Sequence, residues 1–141
     1  VLTEMIDYFN SMRTKRLKID YLSNTLTRSY PRGLDAEIFT FAALEKAFQE
    51  ADQCYEREHV TPYIYQHPEL FSLQGQTNGG EDLSAHRWTL DAEEDFQLIK
   101  EIYAALYREG EIFTTEQVLD LLKKRPELKK INAHIEQKKL C

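Results

Sequence analysis

The order in which strand-like and helix-like stretches follow one another constrains this chain most. Residues 2–12 carry Leu2, Met5, Ile6 and Phe9 at helical spacing, and the basic run after them (Arg13, Lys15, Arg16, Lys18) suits a solvated helix end. Residues 19–23 predict a short buried strand, and residues 34–39 (LDAEIF) alternate apolar and polar side chains as a half-buried strand does. Residues 41–51 predict an amphipathic helix with Thr40 as its N-cap, and residues 58–66 a second helix with Pro62 near its first turn. Residues 71–76 and 87–90 (RWTL) predict two more strands. The strongest helix signal spans residues 92–107, with Phe96, Ile99, Ile102, Tyr103 and Leu106 on one face. Beyond a break at Gly110, Thr114 and Gln117 fit the capping box of a helix running to about Lys124, and Pro126 opens a last helical segment toward Lys139. This alternation predicts a layered α/β fold. Strands so few and so short predict an incomplete mixed sheet, with residues 1–108 forming the α/β part and residues 109–141 a helical tail.

Composition narrows the class of partner. The chain has 141 residues, enough for one domain with a real core, and a net charge of -6. That balance gives no general electrostatic pull toward nucleic acid or anionic lipid. No apolar run reaches the roughly 18–20 residues a membrane helix needs. Two cysteines, Cys54 and Cys141, make neither a disulfide framework nor a metal site, so a reducing, cytoplasmic setting is expected. The first residue is Val, and helical spacing begins at once, which is what a chain cut from a larger protein would show.

Two segments could carry chemistry. In residues 30–37 (YPRGLDAE), Arg32 sits at a loop tip beside Gly33, where a guanidinium can meet a phosphate or carboxylate bidentately; a plain turn with an exposed Arg accounts for the same pattern. In residues 87–95 (RWTLDAEED), a strand ends, Asp91 follows and a helix begins. Asp91 can be an N-cap with Glu94 as its capping-box partner, or a hard-oxygen ligand for Mg²⁺ beyond the carboxyl end of a strand. Position does not separate these readings. The four histidines, His59, His67, His86 and His134, have no spacing that favours zinc, and no phosphate-binding glycine motif is present.

Residues 20–25 (DYLSNT), 30–39 (YPRGLDAEIF), 57–65 (REHVTPYIY), His67-Pro68, 82–95 (DLSAHRWTLDAEED), 125–128 (RPEL) and 131–138 (INAHIEQK) together resemble cytidylyltransferases of the spore coat polysaccharide biosynthesis (SpsF) type, relatives of the CMP-Kdo and CMP-neuraminate synthetases. Ala92-Glu93 stands where that family commonly has Thr-Pro. The resemblance implies the C-terminal part of a nucleotide-diphospho-sugar transferase-like, three-layer α/β fold. It implies transfer of CMP from CTP to a sugar, with Mg²⁺, for spore coat or surface polysaccharide synthesis. By the same resemblance Asp91 is the catalytic, metal-binding acid, and Arg32, Gly33, Asp35, Glu37 and His59 belong to the sugar-binding region. The family's glycine-rich loop and first metal-binding Asp have no counterpart here, so the chain alone is expected to be inactive and to pair as a homodimer across its open sheet edge. The competing reading is a non-catalytic binding or assembly module on the same scaffold.

Overall fold

In a computed structural model, residues 1–137 are described. The elements are α1 (Leu2–Thr14), β1 (Tyr21–Ser23), β2 (Glu37–Phe39), α2 (Phe41–Glu50), α3 (Cys54–Glu58), α4 (Pro62–Gln66), β3 (Leu73–Gly75), α5 (Glu93–Leu106) and α6 (Thr115–Lys124), followed by a 3₁₀ turn at Pro126–Lys130. They divide into two units. Among the described residues, one holds Val1–Tyr30 and Asp35–Asp82; the other holds Pro31–Leu34 and residues 83–137.

The first unit is built on a three-stranded mixed sheet in the order β2-β1-β3, with β1 antiparallel to β2 and parallel to β3. Side chains alternate across a strand, so neighbouring residues of β1 serve different cores. Tyr21 joins Ala43, Ala47 and Ala51 at α2, Tyr63 and Ile64 of α4, and Phe71. Leu22 joins Met5 and Phe9 of α1 and Ile19. Small alanines on the inner face of α2 let that helix approach the sheet closely. Thr40 caps α2 as expected, its hydroxyl accepting the Ala43 N–H at 3.1 Å.

The second unit packs α5 against α6 and the 3₁₀ turn through Leu98, Ile102, Val118, Leu122 and Leu128. Thr114 and Gln117 form the expected capping box at the start of α6. The helical segment expected from Pro126 toward Lys139 is a single 3₁₀ turn ending at Lys130; residues 131–137 are irregular, and the part of that expectation on residues 138–141 lies outside the described residues.

Four local expectations are corrected. The helix expected over residues 58–66 is two short helices, α3 and α4, with Pro62 opening the second: its missing N–H suits a first helical turn and not a helix interior. The strand expected over residues 34–39 is confined to Glu37–Phe39, because Leu34 closes a turn onto the Pro31 carbonyl and the Ala36 N–H donates to the Asn24 side chain at 2.9 Å instead of to a ladder partner. Residues 87–90 form no strand; their ladder contact is one parallel bridge between Arg32 and Arg87. The buried face of α5 is Asp95, Leu98 and Ile102, whereas Phe96 and Tyr103 stand 51% and 52% exposed. A buried ion pair turns the helix: Asp95 faces inward to Arg87, and Leu98 and Ile102 follow it at helical spacing.

Candidate functional site

The expected site residues fall in both units, and each is described within its own. In the first, β2 presents Glu37, whose carboxylate accepts hydrogen bonds from the Tyr21 hydroxyl at 2.7 Å and the Thr61 hydroxyl at 2.9 Å. Burial, and then the negative Glu37 beside it, pushes the Tyr21 phenol well above its ordinary range, so it stays a donor. Asp35 is clamped by both terminal nitrogens of Arg28, at 2.6 and 2.9 Å. That bidentate bond raises the Arg28 pKa further. His59 ends α3, with its backbone N–H bonded to the Tyr55 carbonyl and its side chain exposed. Glu37 and the segment that carries His59 thus meet through Thr61, while Asp35 is held by Arg28.

In the second unit, Arg32 and Gly33 lie in a turn tied to residues 86–88: the Arg32 N–H bonds the His86 carbonyl at 3.0 Å, and the Trp88 N–H bonds the Arg32 carbonyl at 2.7 Å. Gly33 has φ +100°, and a Cβ there would run into the Trp88 carbonyl. Both the left-handed backbone and the close approach require glycine. Gly33→Ala is expected to lower unfolding stability by about 1–3 kcal/mol, measurable by denaturant titration with the single Trp88 as fluorophore; an unchanged midpoint would remove the steric argument.

A densely hydrogen-bonded carboxylate escaped sequence reading. Asp95 is fully buried, and its carboxylate accepts from Arg87 Nε at 3.0 Å and Nη2 at 2.9 Å, Thr89 Oγ1 at 2.7 Å, and Asn132 Nδ2 at 2.8 Å. It also takes the backbone N–H groups of Asp91 and Ala92, so Asp95 performs the helix-capping role expected of Asp91 and Glu94, with Ala92 at the N-cap. Burial alone would raise its pKa; the bonds from Arg87, Thr89, Asn132 and the Asp91 backbone outweigh that and hold it far below the usual carboxylate range. A carboxylate three residues after the N-cap was the one sequence signal for this role. Asn132 had none.

Asp91 is released from capping. Its side chain is 62% exposed, and one oxygen lies 3.2 Å from Arg87 Nη2. Arg87 therefore bridges the buried Asp95 and the exposed Asp91. Among the described residues no group of three or more His, Cys, Asp or Glu side chains could hold a metal ion. Mg²⁺ commonly takes only one or two protein carboxylates and draws its remaining ligands from phosphate and water, so a lone outward carboxylate fits that use.

The mixed sheet with its helices is an α/β fold like that of a solved cytidylyltransferase. A cytidylyltransferase from Leptospira borgpetersenii serovar Hardjo-bovis matches 98% of this chain with a TM-score of 0.80 and 30% sequence identity, over 54% of its own length. An uncharacterized protein of Methanocaldococcus jannaschii is 40% identical over 123 residues, which cover 84% of this chain and 47% of that protein. No family model matches the chain. The chain thus spans about half the length of the proteins it matches. No helix among the described residues is long and apolar enough to cross a membrane.

Proposed function

We propose that this chain is the C-terminal half of a nucleotidyltransferase that moves CMP from CTP onto a sugar, yielding an activated sugar for surface or spore coat polysaccharide. The observation that carries this reading is the match to a cytidylyltransferase over 98% of the chain at 30% identity. In such a reaction a sugar oxygen attacks the α-phosphorus, the new oxygen–phosphorus bond forms, the bond to the β-phosphate oxygen breaks, and pyrophosphate leaves as the attacking oxygen gives up its proton. Positioning and charge neutralisation supply most of the rate.

The residues take these roles. Asp91 would hold Mg²⁺ through the oxygen that Arg87 leaves free, and the bound ion would neutralise charge on the triphosphate. The Arg32 guanidinium, which has no side-chain partner among the described residues, is available to an anionic group of the substrate. Glu37 and Asp35 are fixed by Tyr21, Thr61 and Arg28, so any oxygen they present to a sugar hydroxyl is preorganised. His59 supplies an exposed imidazole on the same unit as Glu37. Gly33 shapes the turn that carries Arg32.

The test is CTP-dependent pyrophosphate release by the longer protein with a panel of sugars and sugar acids. Release that requires both a sugar and Mg²⁺ is expected, and none across the panel would overturn the proposal. The isolated chain is expected to bind CTP only weakly in calorimetry, because a single carboxylate holds Mg²⁺ weakly and the triphosphate charge then goes uncompensated; tight binding would overturn the half-site reading.

A further inference from the structure

The second unit contains a cavity of about 350 Å³, within the range of small-molecule sites. It has a definite chemical polarity. Its floor includes Leu98 and Leu122, which are 2% and 1% exposed. Its rim carries Arg32 and Lys129, and no Asp or Glu lines it among the described residues. In a chain with 24 acidic and 18 basic residues, an acid-free lining with two cations is opposite in sign to the molecule as a whole. Arg87 also lines the cavity, but its charge is spent on Asp95 and Asp91. Neither Arg32 nor Lys129 has an ion-pair or hydrogen-bond partner for its side chain among the described residues.

Trp88 lines the same cavity beside Leu98 and Leu122, so the lining pairs an apolar wall with two cations. A carboxylate with an apolar body suits both: its charge meets Arg32 and Lys129, and its body covers Trp88, Leu98 and Leu122.

We infer that this cavity binds a small organic carboxylate with an apolar body, at a place distinct from Asp91 that shares Arg32 with the proposed substrate region. Association would be driven by apolar burial and oriented by charge-assisted hydrogen bonds. A bare anion would lose the first contribution and a neutral isostere the second.

Trp88 is the only tryptophan, so its emission reports occupancy directly. The intact chain is titrated with 3-phenylpropanoate, with neutral 3-phenylpropanamide and with inorganic phosphate. A saturable change in Trp88 emission is expected with the carboxylate, and binding at least about tenfold weaker with each of the other two. Lys129→Gln and Arg32→Gln should each weaken the carboxylate by about tenfold, whereas Lys123→Gln, on α6 and outside the lining, should leave it unchanged. Ala133→Phe, which fills the cavity from its exposed edge, should abolish the response while the circular dichroism is retained. Absence of saturation up to about 10 mM, equal binding of the amide, or undiminished binding by Lys129→Gln would overturn the site; equal binding of inorganic phosphate would overturn its apolar half. None of these outcomes depends on CTP turnover, so failure here is distinguishable from failure of the transferase reading.

Discussion

Replacing Asp95 with Ala is expected to cost about 3–5 kcal/mol of unfolding stability, the usual consequence of removing one partner from a buried ion pair. The loss has three sources in this structure. Arg87, with only 8% of its side chain exposed, would be left in the interior with the exposed Asp91 as its remaining counter-charge. Thr89 and Asn132 would each lose an acceptor. The first backbone N–H groups before α5 would lose their cap. Asp95→Asn keeps the shape but not the charge and should recover only part of the loss. Denaturant unfolding followed through Trp88 measures both, and a loss below about 1 kcal/mol would mean that the network is ornamental. The pH dependence has a definite sign. The folded state holds Asp95 ionised to far lower pH than the unfolded chain does. Below about pH 4 the unfolded chain therefore binds the extra proton, and stability falls as the pH falls toward the folded pKa. In Asp95→Asn that part of the acid sensitivity should disappear.

Asp91→Asn should separate cleanly from that behaviour. Asp91 is 62% exposed and is not the N-cap of α5, and an Asn carbonyl oxygen can keep the contact with Arg87 Nη2. An exposed ion pair of this kind is worth little, so stability should change by no more than about 0.5 kcal/mol. Turnover in the longer protein should fall at least about a hundredfold, because the substitution removes the one anionic oxygen proposed for Mg²⁺. Pyrophosphate release measured across a Mg²⁺ titration distinguishes a lost metal ligand from a lost fold: higher Mg²⁺ should restore part of the rate. Turnover close to that of the parent protein would take Asp91 out of the metal site while leaving the fold as described.

Local chemistry was legible wherever a residue acts on its own neighbours. Thr40 and Thr114 were readable as N-caps because a hydroxyl satisfies N–H groups two or three residues ahead, and both do so. The three strands of the sheet were readable as short apolar or alternating runs, though each came out at three residues. The stretch RWTL carried the same strand pattern and is no strand, because a ladder needs a partner and Arg87 finds one only in a single bridge to Arg32. The inward face of α5 was misread for a related reason: a hydrophobicity pattern treats Asp95 as a surface residue, and nothing near it in sequence reveals the full set of partners that let it be buried.

The sequence by itself determined the α/β class of the fold and the helix starts set by the capping side chains Thr40 and Thr114. Only the tertiary structure decided which carboxylate of residues 91–95 is buried and which faces outward. Asn132 lies 37 residues from Asp95 and 45 from the Arg87 carbonyl it also bonds. A carboxylate enters the interior only when enough donors converge to repay its desolvation. That convergence at Asp95 frees Asp91 from the helix cap and turns its carboxylate to solvent.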